Sequence, residues 1–293
     1  MREETRRMLL ETRATRPEAI AATAAGRRRR DTLVRPDGRG LMLVAADHPA
    51  RGALGVRGRT AAMANRLELL DRLQVALWRP GVDGVLGTPD VLEDLLLLGA
   101  LDDRVVVGSM NRGGLLGTAF EIDDRFTAYD AATIAAMGFD AGKMLLRIDP
   151  AEPSTVRTLE ACGAAVSALA ANRLMAMVEP FWVSRDAGGS SRNDLSPDAM
   201  MRAIAVAQGL GSTSAYTWLK VPVVEDMERV MEASTLPALL LGGDPEGSPD
   251  ETYAAWQKAL RLPTVCGLVV GRAVLYPPDD DVAAAIDTAV GLL

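Results

Sequence analysis

DGVLGTPDVLEDLLLLGALDDRVVVGSM, residues 83–110, holds one complete structural unit of strand, helix and strand. DGVLGT (83–88) and RVVVGSM (104–110) are short runs in which apolar residues are continuous rather than alternating. Continuous hydrophobicity marks strands covered on both faces, the condition of a parallel sheet. Between them Thr88 offers a helix cap, Pro89 sits at the first helical position, and VLEDLLLLGAL continues as a helix. Outward from this unit the pattern repeats. LMLVAAD (41–47) precedes it, and KMLLRID (143–149), RLMAMVEP (173–180), AYTWLKV (215–221), ALLLGGD (238–244) and GLVVGRA (267–273) follow. Helix starts recur at Ser196-Pro197 and at Ser248. Eight strand candidates alternating with helices over about 250 residues predict an α/β fold, a single (β/α)8 TIM barrel over residues 39–293. The competing architecture is an open doubly wound sheet, but no GxGxxG follows the first strand. Residues 1–38 read as an N-terminal helical extension ending in GRRRRD (26–31) and the turn RPDGRG.

The chain has 293 residues, 48% hydrophobic and 24% charged, enough for one barrel-sized core. A formal charge of -7 excludes a general nucleic-acid binder, because phosphate-backbone binding needs a basic face. The one basic cluster, GRRRRD, shares its segment with Glu3, Glu4, Glu11 and Glu18, and reads as a solvated helix end or a subunit contact. The N-terminus begins charged, and no window approaches the roughly 18 apolar residues of a membrane helix, so no membrane partner and a cytoplasmic setting are expected. Cys162 and Cys266 lack a CxxC partner and read as buried, reduced thiols. His48 is the single histidine, which rules out a His-rich zinc site. AMMRAIAVAQGL (199–210) suits a core face or a subunit contact equally, and a homo-oligomer is expected.

In such a barrel, reactive side chains project from the C-terminal ends of the strands. Those ends carry Asp47 and His48 after the first run, Ser109, Asn111 and Arg112 after the third, and Glu179 on the fifth. Lys220 ends the sixth, Gly242 and Gly243 the seventh, and Gly271 and Arg272 the eighth, while Lys143 lies on the fourth. Isolated buried charges are expensive, so Asp47, Lys143, Glu179 and Lys220 should face one another as a paired cluster.

Lys220 is the informative member, because the chain uses 29 arginines and only three lysines, Lys143, Lys220 and Lys258. A guanidinium stays protonated, whereas an amine in a desolvated pocket or beside another cation can lose its proton and form a Schiff base with a carbonyl. Lys143 would be that neighbouring cation, or would hold a substrate oxygen. Lys258, on the polar face of a helix, reads as ordinary surface. Glu179 is a candidate proton shuttle with its pKa raised by burial, and an ion pair with Lys143 or an arginine is the plainer alternative. Asp47 either serves the imine as acid and base or accepts a hydrogen bond from a substrate hydroxyl. His48 reads as a packed neighbour of Asp47 rather than a catalyst. Gly242, Gly243, Gly271 and Arg272 stand where barrels often bind phosphate, since bare backbone N–H groups can approach an anion closely.

AADHP (45–49), KMLLRIDP (143–150), MVEPF (177–181), WLKVPV (218–223) and GR (271–272) together resemble the class I aldolases of the tagatose-bisphosphate, archaeal-type fructose-bisphosphate and deoxyribose-phosphate superfamily. Within it the chain looks like the actinobacterial branch associated with inositol catabolism. The resemblance implies a Schiff-base lysine at Lys220, with Asp47, Lys143 and Glu179 at the other functional positions. It implies a phosphate site on Gly242, Gly243, Gly271 and Arg272, and neither metal nor cofactor. The reaction implied is cleavage of a phosphorylated keto-sugar, favouring 5-dehydro-2-deoxygluconate 6-phosphate, split to dihydroxyacetone phosphate and malonate semialdehyde. Fructose- or tagatose-bisphosphate and deoxyribose 5-phosphate stay open. Two features depart from the superfamily: proline follows the Asp-His pair, and the loop SMNRGGLLGTAFEIDDRFT (109–127) is long. The far end of the substrate is therefore expected to be read differently, by Asn111, Arg112 or Arg185. The same residues also allow a metal-free sugar-phosphate isomerase with Glu179 as base and Lys143 as electrophile, or a barrel that binds sugar phosphate without catalysis.

Overall fold

The computed structural model describes residues 3–34, 37–186, 188–243 and 248–293. Its strands are β1 (Leu41–Ala45), β2 (Gly84–Gly87), β3 (Val105–Ser109), β4 (Ala141–Ile148), β5 (Met175–Arg185), β6 (Ser191–Asp194), β7 (Thr217–Pro222), β8 (Ala238–Leu241) and β9 (Val265–Val270). All except β6 are parallel and run in the order β4-β3-β2-β1-β9-β8-β7-β5, and pairing of β4 with β5 closes the ring. This is the expected (β/α)8 barrel.

The pleat sends alternate side chains to opposite faces. Leu41, Leu43 and Ala45 on β1, Val105 and Val107 on β3, and Met175 and Met177 on β5 form one buried cluster inside the barrel. The residues between them, including Met42, Val44, Val106, Ala176 and Val178, join a larger cluster with the surrounding helices. Both faces are covered, which is why the runs are continuously apolar. The apolar side of the helix Pro197–Gln208, carrying Met200, Ala203, Ile204 and Ala207, belongs to that outer cluster, so the core accounts for AMMRAIAVAQGL.

The ends of the elements differ from their reading in sequence. β5 continues to Arg185 and pairs antiparallel with β6, Ser184 opposite Arg192. DAGGSSRND (186–194) carries no apolar signal, so a strand held there by backbone pairing reads as loop. Of the three expected caps, Ser196 accepts from the Ala199 N–H at 3.4 Å, Thr88 instead donates to Asp90 at 2.6 Å, and Ser248 makes no side-chain cap bond. Asp244, the last residue of the seventh run, lies outside the described residues. Cys162 is buried, but Cys266 is only partly so, and both are free thiols. No helix among the described residues is long and apolar enough to cross a membrane.

Two arginines of the basic cluster, Arg27 and Arg30, turn inward. Arg27 is buried and donates to the carbonyls of Leu101 (3.0 Å), Arg104 (3.0 Å) and Gly138 (2.6 Å), with its guanidinium 5.9 Å from the centre of the Phe139 ring. Arg28 pairs with Asp103 at 2.7 Å, and Arg30 with buried Asp83 at 2.8 Å. Asp83 and Arg104 immediately precede β2 and β3, so GRRRRD straps the extension across the N-terminal face of the barrel. Arg27 and Arg30 are thus not the solvated charges expected at a helix end, whereas Arg28 and Arg29 stay exposed. Arg27→Met is expected to lower the free energy of unfolding by about 2–4 kcal/mol, because buried carbonyls lose a charged donor. Urea unfolding measures this, and an unchanged midpoint would mean the strap carries no stability.

Candidate active site

The rows of inward-facing side chains end in polar residues at the C-terminal mouth. On β1 the row Leu41, Leu43, Ala45 leads to Asp47, and on β3 Val105 and Val107 lead to Ser109. Likewise Ala141 leads to Lys143 on β4, Met177 to Glu179 on β5, and Trp218 to Lys220 on β7. All five polar residues are buried. Lys220 Nζ donates to Glu179 Oε1 at 2.6 Å, and Lys143 pairs with the other oxygen of Glu179. Lys143 Nζ also lies 3.2 Å from Asp47 Oδ2, which accepts from Ser109 Oγ at 3.1 Å and faces Arg112 Nη1 at 3.1 Å. The four predicted charges thus form one chain, Lys220 to Glu179 to Lys143 to Asp47, and neither lysine snorkels to solvent. Lys258 is exposed.

Burial alone would raise the Glu179 carboxyl, but Lys143 and Lys220 outweigh it and hold its pKa well below the usual range. The direction is opposite to that expected from burial. Asp47 behaves alike: burial raises it, and Arg112, Lys143, His48 and Lys220 together pull it well below. Both carboxylates are lower in the folded than in the unfolded chain. Their contribution to stability is therefore complete above the ordinary carboxylate range near pH 4 and is lost as pH falls from there through the folded values. Partly buried His48 sits 3.9 Å from Asp47 and is pushed down to about 3 by burial and by nearby Arg272, Lys220 and Arg112, so its imidazole is neutral.

Burial and Arg112 push Lys143 down to about 8, against the opposing pull of Asp47 and Glu179. With three lysines in the chain, ¹⁵N-lysine NMR resolves the prediction directly: one ammonium titrates near pH 8, and its signal is missing in Lys143→Met. The unfolded chain keeps that proton to higher pH, so the stability contribution of Lys143 rises with pH between about 8 and 10.5. A Lys143 ammonium titrating near 10.5 would contradict the assignment.

The cluster opens into a cavity of about 330 Å³, lined also by Gly242, Gly243, Gly271 and Arg272, so all eight predicted site residues meet there. Gly243 has φ +63°, a conformation that favours glycine. A Cβ at Gly271 would stand 2.3 Å from the Ala45 carbonyl oxygen, so only glycine lets the end of β9 lie against β1. Arg272 donates to the Gly243 carbonyl at 3.3 Å and links the two glycine loops. Another cavity, of about 540 Å³, lies near the strands' N-terminal ends around Gly40, Val265 and Leu293, and no lysine, aspartate or glutamate among the described residues lines it.

The 109–127 loop folds back over the mouth. Its Ile122 packs with Leu145, Phe181, Val183 and Leu241, and its Asp124 receives Arg147 in a two-pronged contact at 2.6 and 2.7 Å. Asn111 is a strut: its amide donates to Leu145 O at 2.6 Å and accepts from Leu145 N at 2.7 Å. Arg185 pairs with Glu152 and donates to Ala119 O at 2.9 Å, and it does not line the cavity. Sequence reading missed Arg51, Asn193 and Leu195, which do line it. Arg51 follows the Asp-His-Pro turn and was visible as a charge just past a strand end; Asn193 and Leu195 arrive with the unpredicted β6.

Fold and site together define a (β/α)8 barrel with a buried lysine and carboxylate cluster at the mouth of its strands. The chain belongs to the Cgl0159-like family, whose model matches residues 39–290. It is 54% identical to Cgl0159 from Corynebacterium glutamicum, whose crystal structure aligns with a TM-score of 0.96 over 100% of this chain and 97% of that one. A Schiff base-forming fructose-1,6-bisphosphate aldolase is 16% identical, with a TM-score of 0.67 over 93% of this chain and 99% of that one. An archaeal fructose-1,6-bisphosphate aldolase, with its catalytic Lys covalently bound to the carbinolamine intermediate of its substrate, is 15% identical, with a TM-score of 0.67 over 93% and 98%. At such identity the likeness is one of fold. Among curated proteins none matches the chain.

Proposed function

We propose that this protein is a class I aldolase, a lyase that cleaves a phosphorylated keto-sugar through a Schiff base on Lys220. The observation that carries the reading is the setting of Lys220: a buried amine at a strand end, held 2.6 Å from Glu179, in a cavity lined by glycine loops and Arg272. The shared fold with Schiff base-forming aldolases supports it.

Glu179 takes a proton from Lys220, the neutral Nζ adds to the ketone carbon, and the same proton passes to the carbinolamine hydroxyl, which leaves as water to give an iminium. Glu179, ionised between two lysines, is the base closest to the new bond and takes the proton of the substrate hydroxyl. The carbon–carbon bond breaks, the aldehyde leaves, and the electron pair moves into the iminium to form an enamine. A proton returned to carbon and one water then release the ketone product and restore the amine. Lys143 and Asp47 hold Glu179 and the substrate oxygens in place. The glycine loops and Arg272 bind the phosphate. We take 5-dehydro-2-deoxygluconate 6-phosphate as the first substrate to test, yielding dihydroxyacetone phosphate and malonate semialdehyde.

Borohydride trapping with that compound, followed by peptide mass spectrometry, is expected to place a reduced adduct on Lys220. An adduct on Lys143 would overturn the assignment. So would turnover without any trappable imine, the behaviour of an isomerase, or full activity in Lys220→Ala.

A further inference from the structure

We infer that the cavity holds a second anion subsite built on Arg112, so that the substrate carries a carboxylate or a second phosphate beyond the one held at the glycine loops. The inference rests on the sugar-phosphate reading of this cavity. Polar groups on and around the 109–127 loop are mostly committed to one another. Asn111 is committed to both backbone groups of Leu145, and Arg147 to Asp124 and Glu121. Arg185 is committed to Glu152 and to loop carbonyls.

Arg112 differs. It is only 6% exposed and lines the cavity. Its Nε donates to the Asn111 carbonyl at 2.8 Å and its Nη1 faces Asp47 at 3.1 Å, but its buried Nη2 meets no acceptor among the described residues. A buried charged donor left unpaired is unfavourable, and native structures rarely leave one. Asp47 does not balance the charge, because the same oxygen also serves Lys143 and Ser109.

The charge around the cavity points the same way. Among the described residues, Arg51 and Arg112 line it together with the cluster Asp47, Lys143, Glu179 and Lys220. Burial, Arg147 and Arg112 press Arg51 down to about 10, the mark of cations crowded together, and Glu121 at 3.7 Å compensates it only in part. The planar edge of a guanidinium is matched by the oxygens of a carboxylate or phosphate.

Three unreactive open-chain ligands test this by calorimetry on the intact protein: sorbitol 6-phosphate, 6-phosphogluconate and sorbitol 1,6-bisphosphate. At least one doubly anionic ligand should bind about tenfold or more tightly than sorbitol 6-phosphate. The preferred one identifies the distal group as carboxylate or phosphate. In Arg112→Met that advantage should fall below about twofold, and Arg112→Lys should restore part of it. Equal affinity for all three ligands in the unmodified protein, or an advantage kept in Arg112→Met, would overturn the subsite. Binding needs no imine, so a preference for two anions without borohydride trapping would refute the aldolase chemistry and leave the subsite standing.

Discussion

Lys220→Arg is expected to keep the fold and to lose turnover by about 10⁴-fold or more, the scale on which removal of a covalent nucleophile is felt. The guanidinium retains the positive charge that faces Glu179, so the ion pair survives. What disappears is an amine able to become an imine. Overpacking of the larger head is expected to cost about 1–3 kcal/mol, readable as a modest shift in urea unfolding. Release of dihydroxyacetone phosphate from 5-dehydro-2-deoxygluconate 6-phosphate, followed with a coupled assay, gives the rate. Lys258→Arg, on an exposed helix face, serves as the control and should match the unmodified protein. Comparable rates in Lys220→Arg would mean that Lys220 is an electrostatic group only.

Glu179→Ala should be the most damaging substitution for stability. It removes the anion lying between Lys143 and Lys220 and leaves two cations in a buried site. Removing one partner of a buried pair costs about 3–5 kcal/mol. For a chain of this size that lowers the melting temperature by roughly 5–8 °C. Lys143 is informative here as well, because Glu179 is one of the groups that raise its pKa. In Glu179→Ala the Lys143 midpoint should move below its value of about 8, and ¹⁵N-lysine NMR would show it. Glu179→Gln, which keeps an acceptor without the charge, should fall between the two proteins in stability. A melting temperature unchanged in Glu179→Ala would mean that the lysines do not depend on this carboxylate.

The barrel was legible because its cause is local: strands buried on both faces must be continuously apolar, and eight such runs alternate with helices. The charged cluster was legible for a related reason. Asp47, Lys143, Glu179 and Lys220 interrupt those runs at positions where only mutual pairing makes burial tolerable. The electrostatics were harder. Burial suggested a raised pKa at Glu179, and only the distances to both lysines reverse the direction. Arg27 and Arg30 looked like solvated charge, since no local pattern announces that a helix end will meet carbonyls about 75 to 110 residues away. The pairing of β5 with β6 left no hydrophobic trace. The choice among Asn111, Arg112 and Arg185 depended on which partners each had already taken, a property of the folded loop alone.

The most direct measurement is a crystal structure of the protein soaked with 5-dehydro-2-deoxygluconate 6-phosphate and flash-cooled during turnover. Continuous density from Lys220 Nζ to the ketone carbon, with the phosphate against Gly243, Gly271 and Arg272, is the predicted result. Density joined to Lys143, or an intact sugar phosphate lying free of Lys220 in crystals that release product, would contradict the account.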